Sequence, residues 1–360
     1  MIYGKKEATM TQGLAIITMV CLHLFCRLGD KIFGTPLLWL NSEKPFVYWI
    51  GFFCEICVPI YSMCSGYAQH LLFQKGQTTY KNNLKRIFKL LFNYWIILII
   101  FCSLGLALGR DSIPGNVRIF LGNIIPIPSL KYFPSWWYLT AYIIVLLIPA
   151  KLLMKPVNKI HSYIGVAICF VFVLYQYLQT KFSILSLEAF LPNNIYNLFN
   201  DLLKLLPFYL IGAFMHKENV FEKANLFLGR LNKPRLTNAL LLISAAVLFV
   251  VSNLLEKAIL TGPIAIAIML IFNLVKKPKF VENIFLFFGK HSTNIWLTHM
   301  AFYVTLFPGL VLKARYPVLI FAFLIALCLV MSYIEMYIQK GLEFCFALVK
   351  KKRRKQSVPQ

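Results

Sequence analysis

The sequence predicts an all-α fold, a polytopic bundle of membrane-spanning helices, and three observations carry that reading. Of the 360 residues, 59% are hydrophobic, where soluble domains run nearer ~45–50%. Several windows hold about 18 or more mostly apolar residues, long enough to cross a bilayer as a helix. Lysines and arginines fall in short clusters between those windows, as topology determinants do. Helices are the spanning form here because lipid offers no partner to an open sheet edge.

Ten spans are placed near 9–26, 46–73, 87–108, 135–154, 160–178, 199–215, 237–254, 258–275, 284–308 and 317–338. The first follows Lys5 and Lys6, and the third begins beside the basic stretch around Lys85 and Arg86. The fourth opens on Trp136, Trp137 and Tyr138, amphipathic aromatics of the kind that anchor at a membrane interface. The apolar stretch 180–195 contains Glu188 and Pro192 and reads as a loop or re-entrant piece. Gly212 and the run Ser65-Gly66-Tyr67 offer close helix contacts.

Ten spans put both termini on one side. With that side cytoplasmic, the inner segments hold about 24 of the 37 basic residues and the outer loops about ten. The positive-inside rule then orients the chain N-in and C-in. The outer loops near 27–45 and 109–134 are too short for a separate domain. The expected organisation is one membrane domain over 1–349 and a basic tail over 350–360. That tail, with its run Lys350 to Lys355, reads as disordered chain against anionic lipid headgroups.

The formal net charge of +24 does not point to nucleic acid, because no basic face interleaved with stacking aromatics stands outside the membrane. The nine cysteines form no framework. Cys54 and Cys57 lack a second ligand pair and fall mid-span, so they read as packing and no metal is expected. The start of the chain lacks a small-residue cleavage site after the first apolar run, so that run reads as a retained anchor.

His23 is the residue on which function turns. An ionisable side chain inside a bilayer is costly and needs a partner or a task, and an imidazole gives and takes a proton near neutral pH. At 1.5 Å per residue from residue 9, His23 lies about 21 Å into the first span, past the midplane. Glu55, near mid-membrane in the second span, is a candidate to orient it, since a carboxylate fixes a tautomer and stabilises an imidazolium. His299 reaches a comparable depth on the ninth span, and the two imidazoles would line one cavity or sit in the core separately. Lys85, Arg86 and Lys89 share roughly one helical face at the start of the third span, as a phosphate clamp or a topology signal would. Trp136 and Trp137 are interface anchors that also suit stacking on a sugar ring. Asp201 and Glu335 read as snorkelling near span ends. His70, His161, His216 and His291 sit near cytoplasmic ends, where headgroup contact suffices to explain them.

Taken in order, these motifs resemble the acyltransferase-3 family of integral membrane acyltransferases. Gln12, ten residues and then His23 resembles that family's first span, which carries a basic residue, ten residues and histidine. Val58-Pro-Ile-Tyr-Ser-Met-Cys-Ser-Gly-Tyr67 resembles its second, with Leu84-Lys-Arg-Ile-Phe-Lys89 and Trp136-Trp-Tyr-Leu139 following. Gly289-Lys-His-Ser-Thr-Asn-Ile-Trp-Leu-Thr-His299 resembles its later glycine-to-histidine stretch.

The resemblance implies transfer of an acyl group, usually acetyl from acetyl-CoA, to a hydroxyl of a surface glycan or lipid-linked precursor in the bacterial cytoplasmic membrane. On that analogy His23 would be the essential histidine, a general base or a transient acyl carrier, and the residue reading adds Glu55 and His299 as catalytic candidates. Arg86 and Lys89, with Lys85 and Gln12, would hold the acyl-CoA; Trp136, Trp137 and Tyr67 would meet the acceptor. Gln12 departs from the family's basic residue and donates hydrogen bonds without charge. Two other readings stay open on sequence: a transporter or catalytically silent relative, and an anchor or sensor acting through the tail.

Overall fold

The computed structural model describes residues 3–26, 37–39, 41–127, 130–183, 187–188, 190–256 and 258–356. It is helical throughout, apart from a short antiparallel ribbon pairing Leu38–Trp39 with Asn41–Pro45. The first helix, α1 (Lys5–Phe25), is followed by α2 (Phe46–Phe53) and α3 (Cys57–Gln74), which a 3₁₀ turn at Cys54–Ile56 joins into one rod of 29 residues. Pro59 has no N–H for the Glu55 carbonyl, and its ring crowds that oxygen, so the winding tightens there.

Next come α4 (Tyr80–Ala107), capped by the Thr79 hydroxyl, and the short α5 (Val117–Ile124). The fourth expected span is broken: α6 (Trp137–Leu147) and α7 (Ala150–Lys159) meet at a 77° bend. Pro149 disfavours helical geometry at Ile148, which is where α6 stops. The chain continues through α8 (Ser162–Phe182), α9 (Asn193–Lys217), α10 (Val220–Gly229), α11 (Pro234–Leu255) and α12 (Thr261–Leu274). It closes with α13 (Lys279–Met300), a π-wound turn at Ala301–Leu306, α14 (Pro308–Leu312) and α15 (Pro317–Gln356). Where the sequence reading ends order near residue 350, α15 stays helical through the basic run to Gln356.

Among the described residues, length and apolarity alone pick out seven helices able to cross a membrane, or eight if the bent pair is one span. The eighth and ninth expected segments are helices, α12 and α13, that fall short of that test. Residues 258–274 are short, and α13 carries Lys279, Glu282, Lys290, His291 and His299. Its polar side chains are spent inside the bundle: Ser292, Asn294, Thr298 and His299 are all buried. By contrast α8 and α11 bury little, and turn Val171, Phe172, Leu242, Ile243 and Val247 outward. Lipid is the cover such a belt requires.

Two helix pairs organise the interior, α1 with α13 and α3 with α9. Each approaches backbone to backbone through reciprocal glycines. A Cβ on Gly13 would lie 2.0 Å from the Phe285 carbonyl oxygen, and one on Gly289 would lie 1.9 Å from that of Thr9. A Cβ on Gly66 would lie 1.7 Å from the Tyr209 oxygen, and one on Gly212 would lie 2.1 Å from that of Met63. Between helices in lipid, where apolar surface gains little from association, such small-residue seats supply close packing.

The α1–α13 pair is parallel and in register. Lys6 bonds Glu282 and His23 meets His299, each pair separated by 276 residues in sequence. The end of the bundle at Lys6 is termed proximal below, and the end at His23 distal.

Candidate active site

Gly13 and Gly289 each stand ten residues before a histidine. The in-register packing that they permit brings His23 and His299 together, with Nδ1 of His23 2.7 Å from Nε2 of His299. The rings are near coplanar, 5° apart. His299 is fully buried and His23 half-buried.

Hydrogen-bond logic fixes the tautomers. His299 Nδ1 lies 2.8 Å from the Trp296 carbonyl oxygen and 3.0 Å from that of Ile295. Carbonyls only accept, so Nδ1 of His299 carries the proton and its Nε2 is an acceptor. His23 Nδ1–H must then donate to it. The lone pair of the assembly is left on His23 Nε2, where a general base needs it. Tyr303 holds the backbone by donating its hydroxyl to the His23 carbonyl at 3.0 Å.

Glu55 stands elsewhere. Its Oε2 accepts from the Thr261 hydroxyl at 3.3 Å, and the partner of His23 is an imidazole, not this carboxylate. The reason is rotational: Leu22, next to His23, faces the same space as Glu55, while His23 itself turns to α13.

Two cavities lie back to back in the bundle. The proximal one, about 210 Å³, is lined by Gln12, Tyr61, Ser65, Tyr142, Ser292 and Thr293, among others. It reaches Met19 and Trp296, one helical turn short of His23 and His299. The distal chamber, about 370 Å³, holds Glu55, Thr261, Trp137, Gln176 and Lys204 between apolar walls. Met19, Tyr61 and Tyr138 face one space; their neighbours Leu22, Val58 and Trp137 face the other.

The basic trio divides. Arg86 is half-buried, donates from Nη1 to Gln69 Oε1 at 2.7 Å and lines a proximal cavity of about 440 Å³ with Gln77, Thr78, Asn82 and Asn83. Lys85 and Lys89 are exposed. Trp136 is buried, gives its indole N–H to the Leu297 carbonyl at 3.0 Å, and is packed by Phe133 and Tyr94. Tyr67 is also interior, wedged against Tyr3, His216 and Phe221. Of the three expected acceptor contacts, only Trp137 lines the chamber beside Glu55. Cys54 and Cys57 are buried free thiols.

Several polar groups expected at the lipid surface lie inside the protein. His70 and His216 form a second imidazole pair, Nδ1 to Nδ1 at 2.7 Å, with Asn158 Oδ1 2.8 Å from His70 Nε2. His291 reaches Ser332 at 2.8 Å, and Asn294 donates to both Ser332 and Glu335 while accepting from Asn93. Glu335 is thus buried and held rather than snorkelling. Asp201 is buried between Lys131 at 3.5 Å and Lys204 at 3.7 Å. Burial pulls the Lys131 ammonium below its ordinary value, and Asp201 opposes that pull. One signal in the sequence marks both imidazole pairs: Gly66 and Gly212 each precede a histidine by four residues, as Gly13 and Gly289 do by ten.

A family model described as an acyltransferase domain matches residues 9–336. The chain therefore belongs to the acyltransferase-3 family, and its fold is that of a multi-pass helical membrane protein. Comparisons with curated proteins and with solved structures find no match.

Proposed function

We propose that this chain is a membrane O-acyltransferase, moving an acetyl group from acetyl-CoA to a hydroxyl of a surface glycan or its lipid-linked precursor. The observation that carries the proposal is the His23–His299 pair. Its backbone-anchored tautomer leaves His23 Nε2 as an unprotonated base, in a family of acyltransferases.

In the reaction, the acceptor hydroxyl oxygen attacks the thioester carbonyl carbon as His23 Nε2 takes its proton. The C–S bond then breaks, and the proton passes to the departing thiolate, giving an ester and free CoA. A hydroxyl is a weak nucleophile, and a positioned base removes its proton as attack proceeds. His299 holds the ring and shares the charge that forms on His23. Arg86, with Lys85 and Lys89, meets the phosphates of the donor, for which a guanidinium is suited. Gln12 offers its amide to the donor arm in the proximal cavity.

The proximal end is cytoplasmic in this account, with ten crossings, N-in and C-in, in a bacterial cytoplasmic membrane. The basic clusters support that orientation. Glycan O-acetyl content, measured by mass spectrometry with and without mild base, tests the proposal in a deletion strain, a wild-type complement and a His23→Ala complement. Loss on deletion and return only with His23 is the expected result. Equal restoration by both genes would refute a catalytic His23.

A further inference from the structure

We propose that the distal chamber between Glu55, Thr261 and Trp137 is the acceptor's seat, and that it selects a neutral pyranose ring. The inference rests on the acyltransferase reading and adds to it the place and chemical class of the acceptor.

The lining is mixed in the way a sugar requires. Trp137 lines the chamber with an indole whose apolar surface suits one side of a sugar ring, and Lys204 Nζ sits over one face of it, 5.4 Å from the centroid. Glu55 Oε2 is engaged by Thr261 at 3.3 Å, and its other oxygen is free to accept from a hydroxyl. Gln176 adds an amide, and Leu22, Val173 and Phe208 close the sides. At about 370 Å³ the chamber falls within the range of small-ligand sites, about 300–1,000 Å³.

Charge separates the candidate acceptors. The chamber and its rim hold two carboxylates, Glu55 and Asp201, and two ammonium groups, Lys131 and Lys204. Both lysines are drawn to Asp201. Among the described residues each of these ammonium groups already faces Asp201, and an ionised Glu55 would repel a phosphate. An apolar acceptor is equally disfavoured, because it would leave the second oxygen of Glu55 desolvated without a donor.

Position agrees with chemistry. The chamber abuts the proximal cavity across a wall one residue to one turn thick: Met19 and Leu22, Tyr61 and Val58, Tyr138 and Trp137. Leu22 is the sequence neighbour of the proposed base, whose ring stands about 100° further round α1, toward α13. Donor and acceptor would therefore approach the same level of α1 from opposite ends of the bundle.

The test uses the full chain carrying His23→Ala in lipid nanodiscs, so binding is read whether or not acyl transfer occurs. Tritiated methyl hexosides, methyl N-acetylhexosaminides, glucose 1-phosphate and hexanol are compared by equilibrium dialysis. At least one neutral glycoside should bind saturably, at least tenfold more tightly than glucose 1-phosphate or hexanol. Trp137→Ala and Glu55→Ala should each weaken it tenfold or more, and Trp137→Phe by no more than about threefold. The Phe variant guards against misfolding as the cause. Absence of neutral-glycoside binding, tighter binding of the phosphate or the alcohol, or indifference to Trp137→Ala and Glu55→Ala would overturn the proposal. None of these outcomes bears on His23 as a base.

Discussion

His23 Nδ1 lies 2.7 Å from His299 Nε2, and the two residues stand the same ten positions beyond Gly13 and Gly289. The glycines and histidines are therefore one device. The first pair sets how closely α1 and α13 approach, and the second uses that approach to join two imidazoles.

Gly289→Leu should separate the helices, because even its Cβ would lie 1.9 Å from the Thr9 carbonyl oxygen. We expect loss of activity together with a lower unfolding midpoint, measured by a thermal-shift assay in detergent. A Cβ on Gly229 meets nothing within 4 Å, so Gly229→Ala should change neither.

The second imidazole pair gives a contrasting expectation. His216→Ala leaves His70 Nδ1 buried without its partner, a loss of about 1–3 kcal/mol. Thermal unfolding should register it while the KM values for donor and acceptor stay unchanged, since the pair lies near Tyr67 and Phe221, away from His23.

Asn294 is a hub. Asn294→Leu removes the acceptor of Asn93 and the donor to Glu335, stranding a half-buried amide and a buried carboxyl. We expect about 1–3 kcal/mol of destabilisation per stranded group, read as reduced yield of folded protein by size-exclusion chromatography. The double variant Asn294→Leu with Glu335→Leu should recover part of it.

Arg86→Ala should raise the KM for acetyl-CoA about tenfold or more and leave kcat within about threefold, the pattern of a residue that binds the donor without touching the reacting atoms. Lys85→Ala, on an exposed side chain, should have the smaller effect.

Much of this architecture was legible in the sequence. The expected span 46–73 is the rod Phe46–Gln74, and 237–254 lies within Pro234–Leu255. Runs of apolar residues report helix position well because a spanning helix must match the bilayer. They report facing poorly, since lipid and protein interior are equally apolar. Hence Asp201, Glu335 and His70, expected at the lipid surface, are buried, His216 is half-buried against His70, and Glu55, expected beside His23, meets Thr261. The break at Pro149 and the shortness of α12 were likewise beyond composition.

The most direct measurement follows labelled acetyl transfer from acetyl-CoA to a glycan acceptor by the purified protein in liposomes. Wild type is compared with His23→Ala and His299→Ala, all at equal folded amounts. A general base and its orienting partner predict a fall in kcat of about 10²–10⁴-fold for His23→Ala and a smaller one for His299→Ala, with donor KM unchanged. If His23→Ala retains kcat within about threefold of wild type, His23 is not the base and the mechanism is wrong.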